Sequence, residues 1–195
     1  TYKLNISDEV QHEEGYTNVA LFGLDSREND LGKGNRSDTI MIASLNNDTK
    51  EVKLVSIYRD TLLELDDGSY NKANAAYAFG GPEGAVSLIN RNLDMNIEKY
   101  VTVNFNALVD VIDAVGGLDM ELTHDEVVHM NNYCVETSKV TGKSYEKIEP
   151  EVEGTYHLNG VQAVSYSRIR YTAGGDFKRA ERQRLVLQKI ADKVQ

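Results

Sequence analysis

Tryptophan is absent, proline occurs twice and cysteine once. So few prolines exclude a proline-rich linker, and neither a low-complexity tract nor an internal repeat interrupts the chain. Cys134 has no second cysteine to pair with, which excludes an internal disulfide framework; a lone cysteine is more often a small hydrophobe than a nucleophile. No apolar run approaches the roughly 20 residues that span a bilayer, and no signal-peptide pattern opens the sequence. Positive charge is also scarce: 21 Lys and Arg stand against 31 Asp and Glu, a net charge of −10. A nucleic-acid partner is therefore not expected, because non-specific binding needs a broad basic surface that displaces counterions.

What is present suits one globular domain, with 195 residues, 41% hydrophobic and 27% charged. Residues 1–17 form a polar lead-in that reads as a linker or processed end, and the domain proper is expected over 18–195. "NVALFGLDS" (18–26) is an apolar run closing on Gly and Asp, a buried strand that stops at a loop. "SDTIMIASLN" (37–46) and "VKLVSIYRD" (52–60) read as a hairpin around the turn residues "NNDTKE". A glycine pair closes "NKANAAYAFGG", and Pro82 opens an amphipathic helix to Met95. A strand over 99–105, a helix over 106–117 and a short strand over 117–122 follow. Residues 129–154 are polar and aperiodic and predict the least ordered stretch. Helices are predicted over 158–168 and 176–195. Strands alternating with helices predict an α/β fold, a single-domain α-β-α sandwich whose mixed central sheet is covered by helices on both faces.

Two tempting motifs fail. "HDEVVH" spaces its histidines five apart, whereas a helical zinc pair needs four with Glu directly after the first. "GKS" at 142–144 lacks the opening glycine of a phosphate loop, since position 137 is Thr137.

One stretch runs against the acidic composition. "YSRIRYTAGGDFKRAERQR" (166–184) carries five Arg and one Lys against one Asp and one Glu, +4 here and −14 elsewhere. Arg168 and Arg170, two apart, would share a face if extended. Gly174 and Gly175 allow a bend, and Asp176 is a candidate N-cap. In the helix beyond, Phe177, Ala180, Leu187, Ile190 and Val194 follow core spacing, with Arg179, Arg182 and Gln183 on an adjoining face. Guanidinium forks at a helix start suit a diphosphate. A solvated helix face paired with surface carboxylates would account for the same residues.

The strand ends add to the anion-site reading. Asp25 and Arg27 follow the first strand, Arg36 and Asp38 precede the second, and Arg59 and Asp60 follow the third. With the middle strand antiparallel, all lie at one sheet edge, where open α/β sheets bind ligands. Asp25 and Asp38 could hold Mg²⁺, which takes one or two carboxylates plus phosphate oxygens; loop aspartates that merely cap turns would look the same.

"NVALFGLDSR", "NRSDTIMIASLNNDTKEVKLVSIYRDT", "NKANAAYAFGG", "HLNGVQAVSYSRIR" and "DFKRAERQR" resemble, in order, the successive motifs of the LytR-CpsA-Psr family. The match runs from about residue 18 to the end. One departure is Tyr58, where the family usually has proline, and 129–154 matches no family motif. The resemblance implies an extracytoplasmic phosphotransferase held by an N-terminal membrane anchor. It would move a glycopolymer, such as wall teichoic acid or capsule, from an undecaprenyl-pyrophosphate carrier onto peptidoglycan as a phosphodiester. It implies magnesium at Asp25 and Asp38, with Mn²⁺ as an alternative ion. Arg36, Arg59, Arg168, Arg170, Arg179 and Gln183 would hold the lipid's phosphates, with Lys72 a weaker candidate. Arg59, Asp38 and Arg36 would carry the chemistry, and Asp38 or Asp25 could deprotonate the acceptor hydroxyl. The carrier's tail would use apolar helices around 85–93 and 107–115. The rivals are a pyrophosphatase on the same lipid-linked donor, with water as acceptor, and a non-catalytic module binding polyprenyl phosphate or an anionic polymer.

Overall fold

The computed structural model describes residues 4, 6, 15–25 and 31–194. The fold is mixed α/β, the class expected, and falls into two compact units, Thr1–Asn104 and Phe105–Gln195.

The first unit is built on a four-stranded sheet in the order β3-β2-β1-β6. Its strands are β1 (Tyr16–Leu24), β2 (Ser37–Asn46), β3 (Val52–Ile57) and β6 (Lys99–Val103). β1 pairs antiparallel with β2 and parallel with β6, and β2 pairs antiparallel with β3. β1, β3 and β6 therefore end at the same edge at which β2 begins. The β2–β3 turn forms where the turn residues lie: Asn46 Oδ1 accepts from the amides of Asp48 and Thr49.

Between β3 and β6 come a short hairpin, β4 (Leu62–Glu64) with β5 (Tyr70–Lys72), and helix α1 (Ala75–Leu93). The hairpin has no counterpart in the sequence reading, because three-residue strands carry too short a pattern to register. α1 breaks at Gly81, whose φ of 67° and ψ of −159° are non-helical, and resumes at Pro82. The Gly-Pro break is thus real, but the helix already begins seven residues before Pro82. One face of the sheet supplies Ala20, Phe22, Leu24, Ile40 and Ile42 to a core shared with Tyr77, Val86, Leu88 and Ile89 of α1. Tyr77 meets the Phe22 ring edge-on at 5.4 Å, and its hydroxyl donates to Leu31 O at 2.7 Å, so this buried phenol is satisfied.

The second unit comprises α2 (Phe105–Ala114), β7 (Leu118–Leu122), α3 (His124–Thr141), β8 (Gly154–Leu158), α4 (Gly160–Arg168) and α5 (Gly175–Val194). β7 and β8 form an antiparallel ribbon. The predicted disorder of 129–154 is corrected here. Thr123 and Glu126 form a capping box that starts α3, and Gly142, in the left-handed region, stops it. Val127, Met130, Cys134 and Thr137 make a buried stripe at helical spacing, which the surrounding polar residues obscure. The irregular segment that follows is also tied down. Asn131 bonds both the amide and the carbonyl of Ile148, and Gln162 Nε2 donates to Glu146 O at 2.7 Å. β8 too falls where the sequence reading placed irregular chain and a helix start.

α5 presents the expected face only in part. Ala180 is buried and Ile190 packs against the core as expected, but Phe177 is 66% exposed and Val194 68%, and Arg179, Arg182 and Val186 are buried. Asp176 lies in the first turn, and Gly174 O accepts from the amides of Phe177 and Lys178.

Close approach explains Gly160. A Cβ there would lie 2.4 Å from Val109 O and 2.8 Å from Val109 Cγ1, while its amide donates to Asp113 Oδ1 at 2.6 Å. Gly160→Ala is expected to destabilise the protein by about 1–3 kcal/mol, since α2 and α4 must part to admit the methyl. A urea titration measures it.

Candidate functional site

In the first unit the sheet edge collects the expected charges. Asp25 follows β1 and is exposed, and Arg36, just before β2, is also exposed. The pairing of β1 with β2 slips at this end: Gly23 faces Thr39 but Leu24 faces Ser37. Asp38 is therefore the extra residue of a bulge. Bulges re-aim a side chain and occur at sheet edges beside sites. Gly23 suits the position, because a Cβ there would come within 2.9 Å of Thr39 Cβ.

Arg59 approaches from the end of β3. The turn that carries it is closed by Thr61 N donating to Tyr58 O, and Asn74 N and Ala73 N bind the carbonyls of Arg59 and Thr61. Tyr58, the departure from the family pattern, is 40% exposed and leaves this turn intact. Arg59 Nη1 donates to Asp38 Oδ1 at 2.9 Å, and its Nε lies 3.5 Å from Asp60 Oδ2. Lys72 Nζ, on β5, reaches Asp60 Oδ1 at 2.6 Å. The result is an alternating chain Asp38–Arg59–Asp60–Lys72. Arg59 and Asp38 side chains are 24% and 29% exposed, so both are placed yet reachable from solvent. Arg27 lies outside the described residues.

Asp60 was legible in the sequence only as a neighbour of Arg59, and its linking role was missed. The Lys72 ammonium, and after it Arg59, holds its carboxyl below the ordinary 3.8. The contact is therefore formed above that range and lost as pH falls through the lowered value. Lys72→Ala should move the Asp60 midpoint back up toward 3.8, read by carboxyl-carbon NMR titration.

In the second unit the basic stretch divides by role. Arg168 is the last residue of α4, so it does not share an extended face with Arg170. Its guanidinium donates to Thr137 Oγ1 and Glu136 Oε2, both at 3.1 Å, and lies 4.4 Å above the Phe105 ring. Arg170 and Arg179 do converge across the Gly-Gly bend, 3.9 Å and 3.6 Å from Asp176 Oδ1. Gln183 is half-buried one turn further along α5. Arg182 is structural: it binds Glu126 Oε1 at 2.9 Å, Thr172 Oγ1 at 2.7 Å and Ile169 O at 3.3 Å.

The rejected motifs remain apart from this chemistry. His124 bonds Glu151 O, and the His129 ring faces Tyr171. Cys134 is fully buried, and burial pushes its thiol up to about 11, which suits packing and not nucleophilic attack. The apolar residues of the helices considered for a lipid tail pack within their own units, Val86 and Ile89 in the first and Val109 and Ile112 in the second.

A sheet-edge Arg-Asp cluster on a bulge, with a separate Arg pair beside a Gly-Gly bend, accompanies a family match over almost the whole sequence. The LytR_cpsA_psr family pattern matches residues 2–195. The chain belongs to that family. It is 35% identical over 195 residues to the polyisoprenyl-teichoic acid–peptidoglycan teichoic acid transferase TagU of Bacillus cereus (strain AH820), covering 97% of this chain and 56% of that protein. The chain thus spans about half the length of this relative. Among solved structures, TagT bound to LIIa-WTA matches with a TM-score of 0.73 and 29% identity, over 93% of this chain and 64% of that one. The LytR-CPS2A-psr family protein YwtF (TagT) with bound octaprenyl pyrophosphate lipid matches at 0.69 and 27%, over 96% and 68%. These solved structures share the mixed α/β fold described above.

Proposed function

We propose that this chain is a phosphotransferase that moves a glycopolymer from a polyprenyl-pyrophosphate carrier to peptidoglycan. The observation that carries the proposal is the Arg59–Asp38 pair, 2.9 Å apart at the bulged edge where β1 and β3 end. A TagU relative is named for this transfer, and a TagT structure holds a polyprenyl pyrophosphate, which supports donor and acceptor of this class.

The residues suit phosphoryl transfer, where positioning and charge neutralisation matter more than a covalent nucleophile. Arg59, Arg36 and Lys72 are cations at the sheet edge of the first unit, and within the second unit Arg170 and Arg179 are guanidinium forks of the same phosphate-binding type. Asp38 engages Arg59 through Oδ1, and among the described residues no hydrogen bond to Oδ2 competes for its second oxygen. That oxygen is open either to a cation or to the proton of an acceptor hydroxyl, and Asp25 takes the role that Asp38 leaves. The hydroxyl oxygen bonds to the saccharide-side phosphorus, the bridging P–O bond breaks, and polyprenyl monophosphate leaves with the electron pair. Arg59 then faces the charge that builds on the phosphate oxygens.

Two carboxylates, Asp25 and Asp38, fit a hard divalent cation that completes its shell with phosphate oxygens and water. Mg²⁺, or Mn²⁺ in its place, would supply charge neutralisation there when bound. Since both polymers belong to the cell wall, the site of action is the extracytoplasmic membrane face, with the enzyme anchored there. Among the described residues no helix is long and apolar enough to cross a membrane.

The test is incubation with a short-chain polyprenyl-pyrophosphate-linked saccharide and peptidoglycan oligomers, with Mg²⁺ or with chelator, both products being followed by mass spectrometry. A saccharide–phosphate–glycan adduct that chelator abolishes is the expected result. Release of polyprenyl phosphate without adduct would make the enzyme a pyrophosphatase, and an adduct formed equally in chelator would remove the metal from the account.

A further inference from the structure

A cleft of about 440 Å³ in the first unit lies between the β4–β5 hairpin and α1. Its floor is apolar, formed by Leu88, Ala76 and the glycines of α1, while Asp66, Asp67, Ser69 and Asn71 line its hairpin wall. Phe79 stands in the lining with 64% of its surface in water, beside the apolar floor. Among the described residues no Lys or Arg is part of the lining, and Asp66 is paired with Arg91 Nη2 at 3.5 Å. Ser69 holds the Asp67 carboxyl below the ordinary range through its hydroxyl and amide, so the wall is anionic at neutral pH.

This lining disfavours the donor. A pyrophosphate or a polyanionic polymer would meet the Asp67 carboxylate, while the Arg91 guanidinium nearby is already engaged by Asp66 and Glu64, and like charges at contact distance cost free energy. An uncharged saccharide meets what its chemistry requires. Its hydroxyls and amides can bond carboxylate, serine and asparagine side chains, and the apolar face of a pyranose can cover the exposed ring. Place also agrees. Leu63 and Leu65 turn one side of the ribbon toward the core, and Asn71 pairs with Leu63 on that side. Lys72, next along β5, is the residue that grips Asp60 beside Arg59. The ribbon thus serves the cleft and the charged cluster together.

We propose that this cleft holds the uncharged acceptor glycan, an N-acetylhexosamine chain. The inference rests on the proposed transferase reading and adds the acceptor's subsite to it. Chitotetraose, a β-1,4-linked N-acetylglucosamine tetramer, is titrated into ¹⁵N-labelled protein, and a short-chain polyprenyl pyrophosphate is titrated separately. Amide shifts at Ser69, Asn71 and Gly80 are expected with the tetramer. Phe79→Ala should weaken its binding by about five- to tenfold, Asn71→Ala should also weaken it, and neither should alter pyrophosphate binding. Arg59→Ala should do the reverse. Absent shifts, shifts elsewhere, or a tetramer affinity unchanged in both cleft variants would overturn the proposal, even with pyrophosphate binding intact. Tetramer binding at the cleft in a protein that never binds the pyrophosphate would uphold the saccharide subsite and sink the transferase reading instead.

Discussion

Arg59→Ala should slow adduct formation by about 10²–10³-fold, the loss that follows removal of one preorganised donor aimed at developing charge. The side chain is positioned by its own turn and by Asp38, so alanine removes the guanidinium without disturbing the backbone bonds at Tyr58–Thr61 and Ala73–Asn74. A quarter-exposed ion pair contributes little to stability once water screens it, about 0–1 kcal/mol. Activity and fold therefore separate in this variant. Arg59→Lys retains the charge but loses the fork that can hold Asp38 and a phosphate oxygen together, so it should recover only part of the rate. Initial rates of adduct formation, with circular dichroism beside them, check both. An Arg59→Ala enzyme that is folded and within a fewfold of wild type would place the chemistry elsewhere.

Arg182→Ala should destabilise the protein by about 3–5 kcal/mol, the cost of leaving one half of a buried pair uncompensated. Arg182 is 4% and Glu126 14% exposed at the side chain, and the guanidinium also bonds Thr172 and the Ile169 carbonyl. Removing both charges is the informative control. Arg182→Met with Glu126→Leu strands no charge and should recover part of the loss, the remainder being the capping box that Glu126 closes with Thr123 and the bonds to Thr172 and Ile169. Arg170→Ala, at a side chain 40% exposed and 3.9 Å from its carboxylate, should change stability by less than about 1 kcal/mol. Urea titrations of the three variants measure the ranking. Equal midpoints for Arg182→Ala and Arg170→Ala would mean that the buried pair contributes nothing special.

The contrast between these two arginines shows where sequence reasoning stops. Charge counting found the basic stretch, and the Gly-Gly pair located its bend. Helical spacing placed Ala180 and Ile190 correctly but also assigned Phe177 to the core and the arginines to a neighbouring face, whereas Phe177 is exposed and Arg179 and Arg182 are buried. The buried Arg182 on the core stripe pairs with a carboxylate on another element, and that carboxylate, Glu126, sits on α3. α3 escaped detection because its stripe includes Thr137 and is flanked by polar residues, so the error over α5 descends from the error over α3.

The sheet edge was easier to read. Alternation in β2 and β3 and the turn residues between them set the hairpin, and the antiparallel middle strand then brought Asp25, Arg36, Asp38, Arg59 and Asp60 to one end. The bulge at Asp38 was not legible, since a one-residue slip in register leaves no compositional trace. Nor was the Asp60–Lys72 contact, which depends on a three-residue strand that no pattern marks.

The central claim is phosphoryl transfer at this edge, and the fate of the donor's two phosphates tests it most directly. A short-chain polyprenyl-pyrophosphate-linked saccharide, ¹⁸O-labelled in the phosphate next to the sugar, is reacted with peptidoglycan oligomers and its products are weighed. The account predicts an adduct that carries the labelled phosphate and the release of unlabelled polyprenyl monophosphate. An adduct without phosphate, accompanied by intact labelled polyprenyl pyrophosphate, would show glycosyl transfer and contradict it.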